Sequence, residues 1–162
     1  MYIKDIFKNK RSVYSFEVFP PKKAGSFDAV KETVKTLSAM PIDYISVTYG
    51  AGGSTTKSTP DVADFIENEC EMTSLAHLTC ISSDKTQVKS ILDDLKSRGV
   101  ENILALRGDI PQDGSVATAY KYASDLISDI KEYGDFCVGG ACYPEMHPES
   151  ESVEQDIENL KI

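Results

Sequence analysis

Strand-like and helix-like patterns alternate along this chain, and that alternation limits its fold more than any other feature. Strand candidates are Val13–Phe19, Tyr44–Tyr49, Ser74–Cys80, Asn102–Arg107 and Phe136–Tyr143. They recur roughly every 30 residues, the size of one βα unit. A helical apolar face follows each one. Phe27, Val30, Val34 and Leu37 share a face, as do Val62, Phe65 and Ile66, then Val88, Ile91, Leu92 and Leu95. Ala123, Leu126, Ile127 and Ile130 follow, then Val153, Ile157 and Leu160. Ser26, Ser58 or Thr59, and Ser83 stand where helices would be capped. Gly99 and Gly134 stand where helices should stop.

Regular βα alternation implies a parallel sheet covered by helices. Two architectures fit: an open doubly wound sheet, or part of a (βα)8 barrel. At 162 residues the chain has room for one core and for five units. Five units complete a flavodoxin-like domain but only part of a barrel, so length alone favours the open sheet. In both folds, ligands bind at the carboxyl ends of the strands.

Composition excludes several classes of function. A net charge of -9 opposes nonspecific nucleic-acid binding, which needs clustered Lys and Arg. No apolar run reaches membrane-spanning length, and Met1 to Arg11 carries no secretory pattern, so a cytoplasmic location is expected. Cys70, Cys80, Cys137 and Cys142 form no CxxC pair, and each lies in or beside an apolar run. They are expected to be buried small hydrophobes. No metal site is expected, because His77 and His147 add too few ligands at the wrong spacing.

The first strand carries a carboxylate in Ser15-Phe16-Glu17-Val18-Phe19-Pro20-Pro21. Alternation puts Ser15, Glu17 and Phe19 on one face. Burying a lone Glu is costly unless it is paired or protonated. Glu17 is therefore either an edge residue facing water or a carboxyl whose acidity is tuned. Other strand ends add Thr48-Tyr49-Gly50-Ala51, His77-Leu78-Thr79, Arg107-Gly108-Asp109 and Tyr143-Pro144-Glu145-Met146-His147. Gly50-Ala51-Gly52-Gly53-Ser54-Thr55 is a glycine-rich turn without the spacing or Lys of a P-loop. Arg107 could hold an anion or pair locally with Asp109. A strand histidine such as His77 is most often a satisfied core residue. The acids from Glu149 to Glu154 suit a helix start. No nucleophile with a paired base is apparent. A Glu and a strand-end Asp among Thr, Tyr and His suit a site that binds a flat heteroaromatic cofactor and moves protons.

As a set, these motifs resemble a known family. Phe16-Glu17-Val18-Phe19-Pro20-Pro21, Val47-Thr48-Tyr49-Gly50-Ala51-Gly52-Gly53-Ser54, Ala76-His77-Leu78-Thr79-Cys80 and Asn102 to Asp109 come first. Tyr122-Ala123-Ser124-Asp125-Leu126 and Tyr143-Pro144-Glu145-Met146-His147-Pro148-Glu149 complete the order. The series resembles the methylenetetrahydrofolate reductases, flavoproteins of one-carbon metabolism that serve methionine biosynthesis. The resemblance implies an α/β fold of parallel (βα) units of a TIM-type (βα)8 barrel, here about five units in one domain over 1–162. It implies FAD as cofactor and NAD(P)H as co-substrate. The nicotinamide nucleotide reduces the flavin and leaves, then 5,10-methylenetetrahydrofolate receives hydride. It implies Glu17 as the general acid that promotes opening of the folate's five-membered ring, and Asp109 as a contact to the pterin that tunes the flavin. It implies that Thr48, His77, Leu106, Arg107, Gly108, Asp109, Tyr122, Ala123, Ala141, Tyr143, His147, Asp156 and Asn159 contact FAD. Ile162 departs from the family pattern, which has Arg or Lys there. A whole barrel needs about 250 residues, so a homo-oligomer or another association that completes it is expected. A non-catalytic flavin- or folate-binding fragment is the alternative.

Overall fold

A computed structural model describes residues 1–21, 27–49, 58–110 and 116–161 of the chain. Ser26, the turn Gly50 to Thr55 and Ile162 lie outside the described residues. Five parallel strands form one sheet: β1 (Ser15–Val18), β2 (Tyr44–Val47), β3 (Ser74–Thr79), β4 (Asn102–Leu106) and β5 (Cys137–Gly140). The helices are α1 (Ile3–Asn9), α2 (Phe27–Ser38), α3 (Ser58–Asp64), α4 (Lys85–Ser97), α5 (Ala123–Tyr133) and α6 (Val153–Asn159). A π-helical turn, Phe65–Glu69, continues α3 and closes with Cys70 N–H donating to the Phe65 carbonyl at 3.1 Å.

Spatial order follows chain order, β1-β2-β3-β4-β5. A doubly wound sheet reverses direction at some point, as in the order 2-1-3-4-5. This sheet does not, so the open-sheet expectation from length is corrected. Length counts βα units but carries no information on the direction in which they wind. Right-handed crossovers that always advance the same way set every crossover helix on one face. That is the winding of a TIM-type barrel.

Side-chain alternation divides the sheet cleanly. Ile45, Val47, Ala76, Leu78, Ile103 and Ala105 face the helices and are at most 1% exposed. They form one core with Val34 of α2, Val62 of α3, Val88, Leu92 and Leu95 of α4, and Leu126 and Ile130 of α5. Each Val, Leu or Ile among them contributes about 1.5–3 kcal/mol by leaving water. The other parity sets Glu17, Ser46, Leu75, His77, Leu104 and Leu106 on the concave face.

Element ends obey local chemistry. Asp84, not Ser83, caps α4: its carboxylate accepts from Gln87 N–H at 2.8 Å while the Gln87 side chain accepts from Asp84 N–H at 2.8 Å. Thr59 lies inside α3 and donates its hydroxyl to the Thr48 carbonyl at 3.0 Å, so it is not a cap. Gly99, at φ 73, ends α4 as expected. The strands are shorter than their apolar runs, and Ala141 to Tyr143 leave the sheet after β5.

The sequence reading gives no element to residues 1–11, yet α1 forms there and closes the amino-terminal end of the concave face. Asn102 is fully buried and holds it. Its carboxamide oxygen accepts from Ile3 N–H at 2.8 Å, and its nitrogen donates to the carbonyls of Met1 at 3.0 Å and Ser74 at 3.1 Å. The apolar spacing Ile3, Ile6 and Phe7 is the signal for this helix.

Candidate functional site

The opposite, carboxyl-terminal end of the sheet gathers the residues singled out in sequence. Glu17 stands on β1 beside Ser46 of β2, with the register Glu17–Ser46–Leu75. Ser46 Oγ lies 3.4 Å from Glu17 Oε2, and His77 Nε2 of β3 lies 3.5 Å from the same oxygen. Ser46 was not a sequence candidate. Its signal was there: it is the one polar residue between Ile45 and Val47, on the parity of Glu17.

His77 is buried, and burial lowers its pKa, with the Glu17 carboxylate opposing the shift. Its Nε2 finds no hydrogen-bond partner among the described residues. A satisfied core histidine would not leave that nitrogen alone, so the ordinary reading of a strand histidine is corrected. Of the two sequence readings of Glu17, the edge residue facing water is nearer to what is found: on edge strand β1 its side chain is 50% exposed among the described residues.

The end of β4 is shaped by Gly108, which adopts φ 84. A Cβ there would come within 3.0 Å of Thr79 Cβ and 3.2 Å of Ile81 Cγ2. Both the backbone conformation and the close packing require glycine. Leu106 pairs with Thr79 and is half-buried, and Asp109 is exposed. Arg107 does not pair with Asp109. Its Nη1 donates to both carboxylate oxygens of Glu149, at 2.9 Å each. Glu149 therefore lies outside α6, which begins after Ser152; the Ser152 hydroxyl caps it by accepting from Gln155 N–H at 3.1 Å.

The loop after β5 is folded around Asp156. His147 N–H donates to Asp156 Oδ2 at 3.0 Å, and Ser150 Oγ donates to Oδ1 at 2.8 Å. The Ser150 bond first, and the His147 amide second, hold this carboxyl below its usual range. The Tyr143 and His147 rings meet edge to face at 5.0 Å. Thr48 N–H continues the sheet by donating to the Val18 carbonyl at 3.0 Å. Tyr122 and Ala123 start α5, where Asp125 accepts from the Tyr122 amide at 3.0 Å. Ala141 is exposed. Asn159 is exposed as well and bonds along its own helix to Gln155. The structure thus forms two groups, Glu17–Ser46–His77 and Arg107–Glu149–His147–Tyr143–Asp156. Asn159 joins neither.

The cysteines divide. Cys80 is buried, its thiol pushed up to about 11 by burial, with Sγ at 3.8 Å from the carbonyls of Arg107 and Tyr122. Cys70 and Cys137 are half-buried and Cys142 is exposed, contrary to the expectation that all four are buried. Among the described residues no helix is long and apolar enough to cross a membrane.

A singly wound parallel sheet, with polar side chains at the carboxyl ends of its strands, defines a chain of TIM-barrel type. It is similar in fold to the 4-hydroxy-tetrahydrodipicolinate synthase of Methylacidiphilum fumariolicum SolV. The TM-score is 0.57 at 13% identity, over 93% of this chain and 50% of that one. The methylenetetrahydrofolate reductase family model matches residues 2–162, and the chain belongs to that family. It is 38% identical over 147 residues to the 5,10-methylenetetrahydrofolate reductase of Pectobacterium carotovorum subsp. carotovorum, covering 91% of this chain and 49% of the relative. A protein of Oryza sativa subsp. japonica named probable methylenetetrahydrofolate reductase (NADH) is 37% identical over 91% of this chain and 26% of its own length. The chain spans about half the length of its bacterial relative.

Proposed function

We propose that this chain carries the proton-donating and flavin-binding part of a reductase that converts 5,10-methylenetetrahydrofolate to 5-methyltetrahydrofolate with NAD(P)H. The observation that carries the reading is the Glu17 carboxyl on the concave face, 3.5 Å from the unpartnered Nε2 of buried His77. The donor set fits a flavin. His77 offers an unused ring nitrogen to a polar ring edge, Arg107 offers a guanidinium to an anionic group, and Gly108 fixes the backbone turn directly after Arg107. Bound there, FAD would supply hydride, and the name of the rice relative supports NADH as one source of it.

The chain's own residues then handle protons and position. Glu17 gives its proton to the folate nitrogen released when the five-membered ring opens. Proton transfer from a placed side chain is worth about 10²–10⁴ in rate. Neutral His77 keeps a hydrogen-bonding ring beside the Glu17 carboxyl without adding charge. Asp109 lies at the end of β4, where it would accept from the pterin N–H groups.

The test is Glu17→Gln in the flavin-loaded protein. NAD(P)H oxidation by an artificial acceptor should persist while folate reduction falls at least about 100-fold. Folate reduction at the normal rate in this variant would refute the acid role. That the chain spans about half the length of its bacterial relative favours a second reading, a flavin- or folate-binding part that turns over only when another chain completes the barrel. Sedimentation with and without FAD separates the two, since the second reading requires association before any turnover.

A further inference from the structure

We propose that Glu149 is a positioning residue: it straps the loop after β5 to Arg107 at the end of β4, so that both meet an anionic ligand as one preformed unit. The inference rests on the flavin reading above, with FAD contributing the anionic diphosphate. Three observations support it. The two oxygens of Glu149 share Nη1 of Arg107 at 2.9 Å each, across 42 positions of chain. The backbone N–H of Glu149 donates to His147 Nδ1 at 3.1 Å, which places the proton of a neutral His147 on Nε2. The rest of the loop is fixed to α6 through Asp156, which accepts from His147 N–H and Ser150 Oγ. Glu149 thus orients Arg107 and His147 together, and its hold on Arg107 adds to the hold that Asp156 has on the loop.

A half-exposed ion pair adds little stability. Its effect here is orientational. The side chain of Arg107 is 30% exposed and that of Glu149 is 52% exposed, so an arriving phosphate can reach the guanidinium without first unfolding the loop. Two Glu149 oxygens on one nitrogen limit the rotation of a side chain that would otherwise sample many rotamers. A ligand that meets an oriented guanidinium loses less freedom on binding.

Glu149→Ala and Glu149→Gln would be compared by amide hydrogen exchange and by direct FAD titration, with riboflavin, which lacks phosphate, as the control ligand. In Glu149→Ala, exchange at the amides of positions 147, 149 and 150 should speed up and FAD affinity should fall about tenfold, the size typical of residues that orient direct ligand contacts. Riboflavin affinity should change much less. Glu149→Gln should recover part of the loss, because its amide oxygen can still accept from Nη1. Unchanged exchange in Glu149→Ala would overturn the strap. Tighter FAD binding would also overturn it, by making Glu149 a competitor for Arg107. A wild-type protein that binds no FAD would refute the flavin reading, and the exchange comparison would still decide the strap.

Discussion

His77 shows how one residue links the packing of the sheet to its chemistry. Burial lowers its pKa, so the folded protein keeps the ring neutral where an unfolded chain would begin to protonate it, near the ordinary value of about 6.5. The unfolded state then binds more protons than the native state, and stability must fall as pH drops below that value. Asp43, Asp125 and Asp156 have lowered pKa values, so their contributions are lost only in stronger acid. Urea midpoints measured from pH 7.5 to 5.5 should therefore decline in the wild type and stay flatter in His77→Gln. Equal slopes would show that another group titrates. Gly108 supports a second prediction. An added Cβ meets both a positive φ and a 3.0 Å contact with Thr79, so Gly108→Ala should cost about 2–4 kcal/mol in chemical denaturation. Neither effect is readable from sequence. The Arg107-Gly108-Asp109 turn was, but not the Thr79 side chain that lies against it.

Elements were mostly readable, and the errors have physical causes. All five strands and the helices after them follow from apolar period, because one parity of each strand is buried against one stripe of each helix. Apolar runs overstate the strand ends, since each run continues beyond the last ladder bond. Sequence puts the cap of α4 one residue early because Ser83 and Asp84 are both good caps, and only the reciprocal bonds with Gln87 select Asp84. Asp84→Ala should accordingly destabilise the protein by about 1 kcal/mol, and Ser83→Ala by less, in thermal unfolding. The loop acid Glu149 reads in sequence as part of a helix start. Its real partner, Arg107, belongs to a different βα unit, and pairing between units leaves no local sequence pattern.

At the scale of the whole molecule, the concave face is closed at one end and open at the other. Winding direction, which decides barrel type against open sheet, was invisible to a count of units and had to come from strand order. The closing element, α1, was missed because its single turn of apolar spacing is short and its binding partner lies about a hundred residues away. That partner is Asn102, whose side chain joins α1 to β3 and β4 by three hydrogen bonds at 2.8 to 3.1 Å. Removing it leaves the buried Ile3 N–H and the Ser74 carbonyl without that partner, and each buried orphan costs about 1–3 kcal/mol. Asn102→Ala should then cost about 2–4 kcal/mol and speed amide exchange at Ile3 and Ile6 more than in β4 itself. Flavin titration should change little, because the strand tips that hold Glu17, His77 and Arg107 lie at the far end of the sheet. A loss of flavin affinity as large as the loss of stability would mean that the closed end sets the geometry of the open one.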